Sequence, residues 1–270
     1  MKITYLYHSC FMIETQKHLF IFDLYKTKCK DSEVSPENII RKYTKCGKKI
    51  WFLVSHTHPD HFNPAIFNYS DSDVNYIISK DVKEKIEYRH ILDKYENVSP
   101  IYICADEKLC FNDKENRFIH SGENDALYNI KDGFTLETLK STDRGVAFIL
   151  NADNLSVYHA GDLNEWCNET QSKAEFGDMK ARYEKEIKKI SGRKFDIVFL
   201  PLDYRLGDYY KAGPLFFLDN TVVSHVFPMH MWDEYSLIDD FLKLPEMHGR
   251  SCIVHHPDTI GKTWNINSIS

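Results

Sequence analysis

A run of five apolar residues, Ile50-Trp51-Phe52-Leu53-Val54, ends in Ser55 and leads into His56-Thr57-His58-Pro59-Asp60-His61. A strand that is apolar along its whole length has to be covered on both faces, as strands are in layered α/β domains. The polar residues behind it emerge at the strand's C-terminal end, where such domains collect their binding sites. Four imidazole or carboxylate groups within six residues is also a density that suits a metal ion, since these are common ligand types. The feature restricts the chain to folds with a buried strand and an open loop at its end.

The remaining pattern agrees with a layered fold. Residues 3–14 and 18–23 read as a hairpin that turns at Thr15-Gln16-Lys17. Ser35-Pro36 gives an N-cap and a first-turn proline ahead of Ile39, Ile40 and Tyr43, which predicts a helix. A second helix is expected after Ser79, carrying Val82 and Ile86, and strand-like runs follow between about 98 and 160. Phe176, Met179, Tyr183, Ile187 and Ile190 recur at helical spacing before Gly192, giving an amphipathic helix with one apolar stripe. Residues 195–200 and 222–227 read as two more buried strands. No linker rich in Gly, Ser or Pro divides the chain. Strands followed by helices, twice over, fit one α/β domain over 1–270 with a helical insertion at about 165–192.

Composition narrows the partners. The chain has 34 Lys and Arg against 40 Asp and Glu, a net charge of −6, which argues against nucleic acid as the main partner. No apolar run approaches the length of a membrane span. The N-terminal stretch reads as a strand rather than a signal peptide. Seven cysteines are scattered without a Cys-x-x-Cys pair, as expected of reduced thiols. A cytoplasmic protein acting on a small molecule, with no membrane partner, is the expectation; self-association into a homo-oligomer is left open.

The 13 histidines are the unusual count, and two more of them sit in informative places. Tyr158-His159-Ala160-Gly161-Asp162 is a strand running into a turn with a carboxylate, and Phe227-Pro228-Met229-His230 puts a histidine behind another apolar strand. Alone, a Gly-Asp is usually just a turn and a single histidine a structural residue. Together with the first cluster they provide imidazoles and carboxylates without thiolates. That donor set suits zinc, manganese or iron at an open catalytic site.

In these motifs, H-T-H-P-D-H, H-A-G-D and P-M-H, the chain resembles the metallo-β-lactamase superfamily of metal-dependent hydrolases. The opening Tyr7-His8-Ser9-Cys10-Phe11 is similar to the branch that includes L-ascorbate-6-phosphate lactonase. The resemblance implies a four-layer αβ/βα sandwich holding one or two divalent ions, zinc first, with manganese or iron as alternatives. It implies that His56 and His58 bind the first ion and Asp60 and His61 the second, with Asp162 bridging and His230 completing the second site. The chain departs from the pattern at one point. Where the family carries a further histidine, it reads Leu139-Lys140-Ser141-Thr142-Asp143-Arg144-Gly145. Three outcomes follow: Asp143 or a hydroxyl substitutes; His8, His120 or His159 comes in from another loop; or only one ion binds tightly.

The implied reaction is hydrolysis by metal-bound hydroxide, cleaving an ester, lactone or phosphodiester bond of a small, anionic metabolite. Asp60 is the expected ligand that also orients the nucleophile, and His8 or His159 the donor to the developing oxyanion. Arg144, Asp203, Arg205 and Trp232 are the expected substrate contacts, because guanidinium groups suit phosphate or carboxylate. Two rival readings stay beside this one. A metal-binding or sensor protein with weak or no catalysis is encouraged by the absent histidine, and a small phosphodiesterase or nuclease shares the same motifs.

Overall fold

A computed structural model describes residues 1–26, 34–69, 73–95, 98–120 and 133–266. They fall into two compact units, Met1–Cys104 with Pro257–Ser270, and Ala105–His256, each built on one mixed sheet. Among the described residues no helix is long and apolar enough to cross a membrane, and six cysteines are free thiols.

The sheet of the first unit contains β1 (Lys2–Tyr7), β2 (Cys10–Glu14), β3 (His18–Phe22), β4 (Lys49–Val54), β5 (Val74–Ser79), β6 (Ile101–Ile103) and β15 (Thr263–Asn265). Their order is β15-β1-β2-β3-β4-β5-β6, antiparallel as far as β3 and parallel from there on. Residues 3–14 are therefore two strands, not one arm of a hairpin. The chain reverses at His8 and Ser9, with Tyr7 paired to Cys10 and His8 at φ 56°. A Cβ makes that left-handed backbone costly, so no glycine or asparagine announces the turn. The reversal leaves His8 at the tip of a hairpin.

The apolar run behaves as its composition requires. In β4, Trp51, Phe52, Leu53 and Val54 are buried, between β3 and β5. Helix α1 (Pro36–Tyr43) starts where expected, with the Ser35 Oγ accepting the Asn38 N–H at 3.3 Å. Helix α2 (Lys80–Tyr88) follows Ser79 directly. Ile40 of α1 and Val82 and Ile86 of α2 join Leu19, Ile21, Ile50, Phe52 and Val54 in one apolar cluster. Each side chain of this size contributes about 1.5–3 kcal/mol by leaving water.

The second unit contains β7 (Lys108–Asn112), β8 (Arg117–His120), β9 (Gly133–Lys140), β10 (Val146–Ala152), β11 (Leu155–His159), β12 (Lys194–Pro201), β13 (Val222–Met229) and β14 (Ile253–Val254). Their order is β14-β13-β12-β11-β10-β9-β7-β8, with the four strands from β11 to β14 parallel. Helix α3 (Lys173–Lys188) lies within the segment expected to be helical and opens with a capping box. The Ser172 Oγ accepts the Glu175 N–H at 3.3 Å, and the Glu175 carboxylate accepts the Ser172 N–H at 2.9 Å. The C-terminal end of its stripe, Tyr183, Ile187 and Ile190, is buried, and the Tyr183 hydroxyl donates to the Gly213 carbonyl in α4 (Ala212–Asn220) at 2.7 Å. Gly213 packs closely on the next segment: a Cβ there would stand 1.9 Å from the Asn164 side-chain oxygen and 3.1 Å from the Glu165 backbone nitrogen. Packing of α4 thus fixes the loop that follows β11, two residues beyond Asp162.

Candidate metal centre

In the first unit the potential ligands hang from the C-terminal ends of two neighbouring parallel strands. β4 delivers His56 to His61, and β3 delivers Asp23, whose N–H donates to the Leu53 carbonyl at 2.9 Å. Asp23 is fully buried. Its carboxylate accepts the Ser55 N–H at 2.7 Å and the Ser55 hydroxyl at 2.6 Å, and His61 Nδ1 lies 2.8 Å from Asp23 Oδ2. The Ser55 Oγ is also 3.0 Å from His56 Nδ1. Since its single proton goes to Asp23, His56 Nδ1 is the donor in that contact. By accepting from Nδ1–H, Asp23 and Ser55 together hold the proton of both imidazoles at Nδ1 and leave a lone pair on Nε2 of each.

The rest of the turn converges on these nitrogens. His56 Nε2 and His58 Nδ1 lie 3.1 Å apart. The Asp60 carboxylate is 3.5 Å from His61 Nε2 and 3.3 Å from His8 Nε2. The turn is closed by the His61 and Phe62 N–H groups donating to the His58 carbonyl. It is tied to α2 through Asp81, which accepts the Thr57 N–H, and Lys85, which donates to the Thr57 carbonyl at 2.6 Å. Beside His8, the rings of Tyr7 and Tyr25 stack with centroids 5.6 Å apart.

The second unit repeats the device. Asp162, Asp203 and His230 follow β11, β12 and β13, three adjacent parallel strands. His230 Nδ1 lies 2.9 Å from Asp203 Oδ2, and its Nε2 lies 3.5 Å from Asp162 Oδ1. Asp203, also fully buried, accepts the Arg205 Nε at 2.9 Å and the Arg205 Nη2 as well. Burial by itself would raise the Asp203 carboxyl, but the hydrogen bonds from Arg205 and His230 outweigh it and hold the group well below the usual carboxylate range. Two indoles flank His230, Trp166 at 5.4 Å and Trp232 at 5.6 Å between ring centroids. The Arg205 guanidinium lies 4.8 Å from the Trp232 ring centre. His230 and Trp232 both adopt left-handed backbone angles, φ 65° and 54°, a strain typical of functional loops.

The placement of the other expected residues is mixed. Arg144 is exposed in the turn after β9. Asp203 lies in the interior against His230 and Arg205. His159 is fully buried, with its Nδ1 accepting the Gly161 N–H at 3.2 Å. His225 Nδ1 lies 3.0 Å from His255 Nε2. The side chain of His120 lies outside the described residues. Asp23 was not anticipated, although its position just after an apolar strand matches that of Asp203 after β12.

Three imidazoles present Nε2 lone pairs and two carboxylates lie within 3.5 Å of such nitrogens, a donor set that fits divalent metal ions. Residues 2–181 match the β-lactamase superfamily domain. The UPF0173 metal-dependent hydrolase YtkL of Bacillus subtilis is 23% identical over 214 residues, covering 79% of this chain and 77% of that protein. A UPF0173 metal-dependent hydrolase of Opitutus terrae is 24% identical over 221 residues, covering 79% and 76%. Among solved structures, Igni18, a metallo hydrolase of Ignicoccus hospitalis, is similar in fold with a TM-score of 0.56, 16% identity, and 98% and 99% of the two chains covered. The matched domain takes up more than half of the sequence, and the chain belongs to the β-lactamase superfamily, with its α/β fold.

Proposed function

We infer that the chain is a metal-dependent hydrolase, and propose that it cleaves an ester, lactone or phosphodiester bond of a small anionic metabolite. The observation that carries the reading is the tautomer imposed on His56, His61 and His230. Buried Asp23, with Ser55, and buried Asp203 hold the Nδ1 protons, so Nε2 of each ring is an electron-pair donor. The proposed metal ligands are His56, His58, Asp60 and His61 in the first unit, and Asp162 and His230 in the second. Zinc is the first expectation, with manganese or iron as alternatives. Bound there, a divalent ion supplies Lewis acidity, a water nucleophile ionised near neutral pH and a polarised scissile bond.

The chain's own residues divide the remaining work. Asp60, with its oxygen close to both His61 and His8, orients the nucleophile and takes its proton. His8 Nε2, 3.3 Å from the Asp60 carboxylate, is the donor to the developing negative charge. His159 supports the Gly161 turn that presents Asp162. Asp203 is assigned to positioning His230 rather than to substrate, since His230 and Arg205 engage its carboxylate. Exposed Arg144 and the Trp166 and Trp232 indoles are left for the substrate's anionic and apolar parts.

Metal analysis of protein purified without chelators, with a panel of lactone, ester and phosphodiester substrates, tests the reading. Wild-type protein is expected to contain a divalent ion and to turn over at least one class. His61→Ala is expected to lose both properties while remaining folded by circular dichroism. A fully active His61→Ala would overturn the assignment, and metal binding without turnover of any substrate would favour the sensor reading.

A further inference from the structure

From the end of α1 to the start of β4 the chain reads Arg41-Lys42-Tyr43-Thr44-Lys45-Cys46-Gly47-Lys48-Lys49, five cations in nine residues with no acid among them, in a protein whose net charge is −6. Cations in the last turn of a helix offset its dipole, which accounts for Arg41 and Lys42. It does not account for Lys45 and Lys48, which lie beyond the helix. Arg41, Lys45 and Lys48 instead line one cavity of about 480 Å³, and Lys42 does not. That volume lies within the roughly 300–1,000 Å³ of small-molecule pockets.

The three cations are set in different ways. The Lys48 ammonium donates to the Glu14 carboxylate and to the Thr15 carbonyl, both at 2.7 Å. Those contacts hold the group in place and use two of its three donors. The Arg41 guanidinium lies 5.5 Å from the centre of the Tyr69 ring, which is buried and whose hydroxyl donates to the Glu37 carbonyl of α1 at 3.2 Å. A guanidinium held over an aromatic face keeps its N–H groups for a second partner, and their fork matches the oxygens of a phosphate. Arg41 and Lys45 are exposed and make no ion pair with any described residue. The frame around them is closed by its own hydrogen bonds. The Thr44 hydroxyl donates to the Arg41 carbonyl at 2.9 Å, the Cys46 N–H to the Tyr43 carbonyl at 3.0 Å, and the Ile50 N–H to the Asp73 carbonyl at 2.9 Å. Asp73 gives the lining its one carboxylate, and Asn68 an amide.

We propose that this cavity binds a phosphorylated small molecule, with the phosphate on Arg41, Lys45 and Lys48 and the ligand's hydroxyl groups on Asn68 and Asp73. Three cations suit a dianion with three oxygens better than a singly charged carboxylate. The site is separate from the metal turn. It lies at the N-terminal end of β4, whereas His56 follows the C-terminal end, and six residues at about 3.3 Å each put roughly 20 Å between them. The ligand is therefore a second molecule, not the one hydrolysed, and the site does not depend on the metal reading above.

Isothermal titration calorimetry of the full chain with inorganic phosphate, glycerol 3-phosphate and glycerol provides the test. Wild-type protein is expected to bind both phosphates, the ester more tightly, and not glycerol. The double variant Arg41→Gln, Lys45→Gln is expected to bind glycerol 3-phosphate at least tenfold more weakly, with an unchanged melting temperature because both side chains are exposed. Asp73→Ala is expected to remove the preference for the ester over inorganic phosphate. His61→Ala, which alters the metal turn, is expected to bind the ester within twofold of wild type. Wild-type affinity in the double variant, or no binding by the wild type, would overturn the site. Binding lost in His61→Ala and kept in the double variant would place the phosphate at the metal turn and overturn it equally. Wild-type protein that holds no metal leaves these titrations readable, since no residue lining the cavity is a proposed metal ligand.

Discussion

Asp23 in the first unit and Asp203 in the second each fix the Nδ1 proton of a histidine, at 2.8 Å to His61 and 2.9 Å to His230. Their company differs. Asp23 is held by the backbone and hydroxyl of Ser55, neutral groups in a fully buried setting, and it steers His56 as well through that hydroxyl. Asp203 is also bound by Arg205, whose side chain is 51% exposed and reaches over Trp232. One clamp is sealed and serves two imidazoles; the other is open to water through a cation and serves one. The sealed clamp is out of reach of solvent when it is broken. The open clamp is not, because the Arg205 side chain reaches water.

The largest effect is therefore expected at Asp23. Asp23→Ala leaves the His61 N–H and the Ser55 N–H and hydroxyl buried without their acceptor, at about 1–3 kcal/mol for each such unsatisfied group. Urea unfolding measures it. Asp23→Asn retains the shape but replaces an acceptor by an amide, and a residue that orients a metal-binding histidine contributes about 10–100-fold in metal affinity. Because two rings depend on Asp23, its loss is expected at the upper end of that range. Metal affinity within twofold of wild type in Asp23→Asn would break the claim that the carboxylate sets the tautomer.

Asp203→Asn is expected to fall below it on both scales. Metal affinity drops by about tenfold, the lower end of the same range, and stability by about 1–3 kcal/mol, the cost of one poorly satisfied buried group. Paired measurements of the two variants, by calorimetry for metal and urea unfolding for stability, test the ranking directly. A larger loss at Asp203 than at Asp23 would mean that the charge of Arg205, not the seal around the carboxylate, governs how firmly the histidine is held.

The comparison also explains what could be read without coordinates. His56, His58, Asp60 and His61 were legible because a single loop carries all four, and the apolar β4 run gave the loop its place at a strand end. Asp23 was not, since it lies 33 residues before His56 and meets Ser55 only through the parallel pairing of β3 with β4. Asp203 and Arg205 were visible as a charged pair in Leu202-Asp203-Tyr204-Arg205, but the sequence holds no sign of which neighbour the carboxylate faces. The split of residues 3–14 into β1 and β2 depends on His8 adopting a positive φ, which residue preferences do not advertise.

Arg205 is where the comparison is expected to yield the smallest effect and the finest distinction. Arg205→Lys keeps the positive charge but loses the planar fork that reaches Asp203 through Nε and Nη2. Its side chain is half exposed, so the stability change is expected to stay within about 1 kcal/mol. If Arg205 serves Asp203 alone, metal affinity and kcat decline together by a few-fold, with KM nearly unchanged, because the substitution loosens His230. If it binds the substrate's anionic group, KM rises while metal affinity holds. Steady-state kinetics on one active substrate, measured beside metal titration of the same variant, separates the two. The geometry favours the first outcome, because the guanidinium is already engaged by a buried carboxylate.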